Sequence, residues 1–380
     1  LMNADSLTND PRLDRILSRP VPEWWQEARF GIFIHWGPYS VPAFAENDYS
    51  EWYWAHAQGK EGTKAFHHSV YGKDFTYSDF FPYFKAELFD PEEWASLFKR
   101  SGARYVVLTT KHNDGYCLWP NEHASDSRGQ PWNSVVTGPR RDLVKDLTEA
   151  VEQEGLKMGL YFLLYEWGNP IYQQDPQQFF REVSIPQIKE LVAEYNPWIL
   201  WTDGGWQHDA EEYHSLEILD WVLDETGRGD DFVFNERWGE PLEGSAGHLT
   251  TEYTYAVSAH KFSSPWEETR GMGTSFAYNR VEKLEDYATA DELILTLVDV
   301  VSYGGNLLLD VGPRADGIIP LFMQERLLKI GAWLDLNGEA IYGSNPWKHA
   351  CQWTDGQNPL DGFEEEMSAI KDGIAQRLEI

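Results

Sequence analysis

Cysteine is nearly absent: Cys117 and Cys351 are the two in 380 residues. Two thiols build neither a disulfide framework nor a four-cysteine zinc site. Positive charge is also scarce, with 31 Lys and Arg against 62 Asp and Glu and a formal net charge of −31. Such a surface repels phosphate backbones and anionic lipids, so neither nucleic acid nor a membrane is expected as a partner. No apolar run approaches the roughly 18 residues of a transmembrane helix. Residues 1–5 carry no basic start and no apolar stretch, so no signal peptide is expected within them. Internal repeats and low-complexity tracts are missing too. No G-x-G-x-x-G follows the first predicted strand, and no P-loop, G-x-S-x-G elbow or H-E-x-x-H pair occurs. These gaps weigh against dinucleotide binding, phosphate cradling, esterase chemistry and a helical zinc site.

What is present is a globular composition, 42% hydrophobic and 24% charged, with 18 Trp. At least half of those rings are expected to fill the core, and the rest suit the faces of sugars. Apolar runs predict buried strands over 30–35, 104–110, 157–163, 198–202, 232–234 and 306–311. Helical patterns lie between them. One opens at Asp90 with Pro91 behind it, and others cover 142–154, 177–195, 211–225, 290–303 and 320–337. Alternating strand and helix implies βαβ units and a parallel sheet. The fold class is therefore α/β, a (β/α)8-like TIM barrel with some irregularity over residues 1–345, and an open doubly wound sheet is the runner-up. From 346 to 380 the turn signals Asp355-Gly356, Asn358-Pro359 and Asp361-Gly362 predict a tail, or the start of a truncated accessory domain, with a short helix over 364–378. No full β-sandwich is expected there.

In such a barrel, chemistry gathers at the C-terminal ends of the strands. Here those ends read His35-Trp36-Gly37, Lys111-His112-Asn113-Asp114, Tyr165-Glu166-Trp167, Trp201-Thr202-Asp203-Gly204-Gly205-Trp206 and Asn235-Glu236-Arg237-Trp238. Thr250-Thr251-Glu252-Tyr253 and Trp266-Glu267-Glu268 follow. Taken singly, each has a bland reading as a turn, an N-cap or a hydrogen-bonded core residue. Their coincidence favours a site. Carboxylates beside tryptophans fit glycoside hydrolysis, which uses one ionised carboxylate and one protonated carboxyl. A metal-dependent hydrolase using His35, His112 and Asp203 and a non-catalytic sugar-binding protein remain open on the residues alone.

Several of these stretches, in this order, resemble the α-L-fucosidases of glycoside hydrolase family 29. They are Arg29-Phe30-Gly31-Ile32-Phe33-Ile34-His35-Trp36-Gly37, Glu51-Trp52-Tyr53, Lys111-His112-Asn113-Asp114-Gly115-Tyr116, Trp132-Asn133-Ser134, Leu200-Trp201-Thr202-Asp203-Gly204, Asn235-Glu236-Arg237-Trp238-Gly239 and Gly304-Gly305-Asn306-Leu307-Leu308-Leu309. The resemblance runs from about residue 22 to residue 347. It implies a retaining exo-hydrolase that removes terminal α-L-fucose through a covalent glycosyl-enzyme. The expected catalytic pair is Asp203 as nucleophile and Glu252 as acid/base, with Glu267 as a rival acid/base. His35, Glu51, Trp52, His112, Asn113, Tyr161, Trp201, Arg237 and Phe276 are the expected substrate-binding residues. Asn113 departs from the family, which commonly has a second His there, so a related sugar is the alternative substrate. No cofactor and no metal are expected. The implied partner is a fucosylated oligosaccharide or glycoconjugate, self-association is left open, and members of the family are often secreted, periplasmic or lysosomal.

Overall fold

The computed structural model describes residues 10–258, 262–347 and 350. Its centre is eight parallel strands: β1 (Phe30–Ile34), β2 (Tyr105–Lys111), β3 (Lys157–Leu163), β4 (Ile199–Asp203), β5 (Val233–Phe234), β6 (Leu249–Glu252), β7 (Trp266–Gly271) and β8 (Asn306–Val311). Their order is β5-β4-β3-β2-β1-β8-β7-β6, sequential apart from the β1–β8 junction. That junction is parallel, with Phe30 opposite Leu307 and Ile34 opposite Val311. The ring closes between β5 and β6 on a single parallel bridge, Asn235 with His248. The expected barrel is therefore present, and its irregularity is this thin seam. Side chains stitch the seam as well: Thr250 N donates to Glu236 Oε1 at 2.6 Å, and Arg237 Nε donates to Thr250 Oγ1 at 2.9 Å.

Helices cover the outside because each buries one apolar stripe on the sheet. Pro91–Arg100 starts where Asp90 caps the backbone N–H groups of Glu92 and Glu93, and it buries Trp94, Ala95, Leu97 and Phe98. Leu143–Gln153 is capped by Asp142 and buries Leu143, Leu147 and Val151. Two predicted helices need correction. The span 177–195 is not one regular helix. Pro176–Phe179 passes into a wider π turn over Phe180–Ser184 before Ile185–Tyr195. Pro186 supplies the reason: it has no N–H to donate to the preceding turn, so the ladder loosens just ahead of it. The helix expected from residue 211 begins at Ser215, because His214 sits in the left-handed region at φ 57° and breaks the run.

Strands β6 and β7 escaped the apolar-run reading. Their sequences are Leu-Thr-Thr-Glu and Trp-Glu-Glu-Thr-Arg-Gly, yet Glu267, Glu268 and Thr269 are almost wholly buried. No helix among the described residues is long and apolar enough to cross a membrane. The tail expected over 346–380 falls almost entirely outside the described residues.

Candidate active site

The strands deliver a cluster of side chains to one cavity of about 200 Å³ at their C-terminal ends. That is below the roughly 300–1,000 Å³ typical of pockets for larger ligands, and it has room for one small ring. His35 follows β1, and Glu51 and Trp52 come from the short 3-10 turn Ser50–Trp52. His112 follows β2, and Tyr161 stands on β3. Trp201 and Asp203 stand on β4, Arg237 follows β5, and Glu252 ends β6. Phe276 comes from the loop after β7.

The rings form a wall across three neighbouring strands. His112 stacks on Tyr161 with an interplanar angle of 4°, and Tyr161 stacks on Trp201 at 19°. Asp203 ends this wall. Its Oδ2 accepts from the Tyr161 hydroxyl at 2.8 Å, and its Oδ1 accepts from Arg237 Nη1 at 2.7 Å. Arg237 also reaches Glu252, with Nη2 3.6 Å from Oε2. Burial opposes the guanidinium's charge, but the two carboxylates outweigh it and hold Arg237 firmly protonated. Glu252 differs from Asp203 in access. Its side chain is 31% exposed against 12% for Asp203, and Tyr49 donates to its Oε1 at 2.6 Å.

The loop after β4 needs its two glycines. Gly204 has φ +86°, where a side chain would be strained, and a Cβ there would stand 2.7 Å from the Tyr165 ring. A Cβ on Gly205 would lie 2.9–3.1 Å from backbone atoms of Arg237 and Gly239. The loop carrying Asp203 thus lies directly against the loop carrying Arg237.

Both histidines are poised as neutral hydrogen-bonding groups. Burial lowers the His112 pKa to about 4, partly opposed by Asp203. Asn113 Nδ2 donates to His112 Nδ1 at 2.7 Å, which leaves the proton on Nε2. His35 is driven well below its ordinary range by burial, with His112 adding to the effect. Its Nδ1 lies 2.5 Å from Asp310 Oδ2, and burial drives that carboxyl upward. Glu51, whose Oε2 accepts from the Ala277 N–H at 3.1 Å, is pushed up to about 8 by burial.

That last shift makes stability depend on pH. The folded chain keeps the Glu51 proton up to about 8, whereas the unfolded chain releases it near 4.5. The stabilisation is complete below the lower value and is lost as pH rises through the upper one. The wild-type melting temperature is therefore expected to fall more steeply between about pH 5 and 8 than that of Glu51→Gln. Parallel melting curves across that range would mean that Glu51 is ionised in the fold.

Ten of the twelve expected site residues line the cavity. Two do not. Asn113 is wholly buried behind His112, where Nδ2 also donates to the Glu51 carbonyl at 2.9 Å. Its place is behind the wall, in the turn that Gly115 N closes onto the His112 carbonyl at 3.0 Å. Glu267 is also wholly buried. It accepts from Trp201 Nε1 at 2.9 Å and from the Tyr105 hydroxyl, beneath the cavity. As the second residue of β7 it stands too low in the barrel to reach the mouth.

Glu166, one of the polar residues at the strand ends, belongs to a buried ion triad. Lys111 Nζ and Arg128 Nη2 donate to it at 2.9 and 2.7 Å. Burial alone would raise its pKa, but the two cations win and hold it at about 2. Among the described residues, no group of three or more His, Cys, Asp or Glu is arranged to hold a metal ion. The cavity also includes Phe33, Tyr49, Trp206 and Thr269, which the sequence reading did not assign to the site. Phe33 looks like ordinary strand core, and Tyr49 lies in a loop without periodicity.

The comparison that decides the family is a match over nearly the whole described chain. The family model described as Alpha-L-fucosidase matches residues 2–339. The chain belongs to the α-L-fucosidase family. It is a glycoside hydrolase. An α-L-fucosidase of Dictyostelium discoideum is 43% identical over 354 residues, covering 89% of this chain and 75% of that protein. The human tissue α-L-fucosidase is 41% identical over 357 residues, covering 90% and 72%. The crystal structure of Thermotoga maritima α-fucosidase in complex with fucose is also similar. Its TM-score is 0.78 at 39% identity, covering 90% of this chain and 81% of that one.

Proposed function

We propose that this fucosidase-family chain is a retaining, exo-acting α-L-fucosidase that removes terminal α-linked L-fucose from glycans. The observation that carries the reading is the shared guanidinium. Asp203 and Glu252 both contact Arg237 at the edge of a cavity sized for one sugar ring. The guanidinium holds two carboxyl groups beside one ring, which is the pair of groups that double displacement uses.

Asp203 is the nucleophile. Tyr161 and Arg237 each donate to one of its oxygens, which aims the carboxylate and stabilises its charge. It attacks the anomeric carbon as the glycosidic C–O bond breaks, and Glu252 gives its proton to the departing oxygen. Glu252 then takes a proton from water, and that water attacks the same carbon and releases Asp203. Two inversions return the α anomer.

His35 and His112, both uncharged, hydrogen-bond the sugar hydroxyls. Phe33 and Phe276, 6.3 Å apart between centroids, offer an apolar corner to the sugar's methyl group. The Thermotoga maritima relative was captured with a mechanism-based inhibitor as well as with fucose, which supports the same chemistry here.

The test is hydrolysis of an aryl α-L-fucoside with the first-formed anomer followed by NMR. α-L-Fucose is expected at early time. β-L-Fucose would overturn double displacement, and fucose binding without turnover would turn the reading into a binding protein.

A further inference from the structure

The cavity holds one ring, so the remainder of any glycan has to leave across its mouth. One residue there stands out. Trp206 is 55% exposed and borders the cavity, and no other exposed large apolar side chain among the described residues does so. Its place is fixed from below. Gly205 before it lies against the backbone of 237–239, and Gln207 N closes a turn onto Gly204 O at 3.1 Å. The Arg237 guanidinium lies 5.9 Å from the Trp206 ring and 5.0 Å from that of Trp201. Trp206 is thus continuous with the groups around Asp203. Its indole N–H has no partner among the described residues, which leaves one free donor beside an open apolar face.

We propose that Trp206 is the platform of a second sugar subsite, taking the leaving residue to which fucose is attached. A flat indole receives the C–H face of a pyranose, and its N–H can meet a hydroxyl or ring oxygen. The acceptor is a neutral sugar. The segment after Trp206 carries Asp209, Glu211 and Glu212, the Arg237 guanidinium beside its ring is already shared by two carboxylates, and the chain's net charge is −31. A sulfated or sialylated acceptor would meet like charge there. This inference rests on the fucosidase reading of the cavity, and its test is chosen to separate the two.

Two readouts are compared for the wild type, Trp206→Ala and Trp206→Phe. The first is kcat/KM on a fucosyl disaccharide with a neutral acceptor, set against α-L-fucosyl fluoride, which has no acceptor ring. Trp206→Ala is expected to lower the disaccharide value about tenfold more than the fluoride value, a difference equivalent to about 1.4 kcal/mol. Trp206→Phe is expected to recover part of the loss. An equal fall on both substrates, or none on the disaccharide, overturns the subsite. The second readout is binding in an Asp203→Gly background, which needs no turnover. There the disaccharide is expected to bind more tightly than fucose, with that advantage removed by Trp206→Ala. Absent turnover of every fucoside by the wild type would sink the hydrolase reading alone, because the binding comparison still decides the subsite.

Discussion

Asp203→Gly is expected to lower kcat on an aryl α-L-fucoside by at least about 10³-fold while changing fucose affinity by less than about tenfold. The asymmetry follows from what Asp203 does. In the proposed mechanism it forms the covalent bond to the sugar, whereas the sugar-binding roles proposed for His35, His112, Glu51, Trp52 and Phe276 fall to cavity-lining groups on other elements. The fold is expected to survive, because the backbone at 203 keeps its place in β4, where its carbonyl accepts from Leu164 N at 3.0 Å. Glycine also leaves a vacancy under the anomeric carbon. Azide added to this variant should enter that vacancy and restore turnover. Because it attacks from the side where Asp203 stood, the product should be β-L-fucosyl azide. A near wild-type rate would remove Asp203 from the role, and the α-azide would argue against double displacement.

Glu252→Ala should fail in a different way. General acid catalysis contributes about 10²–10⁴-fold, and its loss weighs most on leaving groups that need a proton. Unactivated disaccharides should therefore lose about that much, while aryl fucosides with acidic leaving groups keep a fast first step. Azide should again accelerate turnover, now by intercepting the glycosyl-enzyme, and should give the α-azide. The same agent thus yields opposite anomers in the two variants. Glu267→Gln is the comparator. Its carboxylate holds the Trp201 indole from beneath the cavity, so its loss should lower stability and leave the dependence on leaving group unchanged. If that dependence moved in Glu267→Gln and stayed put in Glu252→Ala, the proton donor would be the buried residue.

Much of this site could be read from the sequence, for a physical reason. Strands β1 to β4 and β8 are buried on both faces, so they appear as apolar runs, and the polar residue after each run marks the barrel's working edge. Strands β6 and β7 hid because their buried side chains, on both faces, are largely Thr and Glu. These meet Tyr105, Trp201 and one another, so burial there carries no hydrophobic signal. The same blindness explains Asn113 and Glu166. Both sit at strand ends among functional groups, and only three-dimensional contacts show that one braces His112 and the other neutralises two buried cations. Tyr49 reaches Glu252 from a loop 203 residues away in the chain, a distance no local pattern encodes.

The seam between β5 and β6 has a consequence for how the proposed catalytic pair breathes in solution. Asp203 and Arg237 lie on one side of it, with Glu252 across it, and the backbone joins the two sides by one bridge. Amide protons flanking that gap should exchange with solvent sooner than those of β1 to β4, since fewer ladder bonds must open. Under the proposed mechanism, the bond-forming half of the reaction is anchored in the continuous sheet, and the proton-transferring half lies across its thinnest junction.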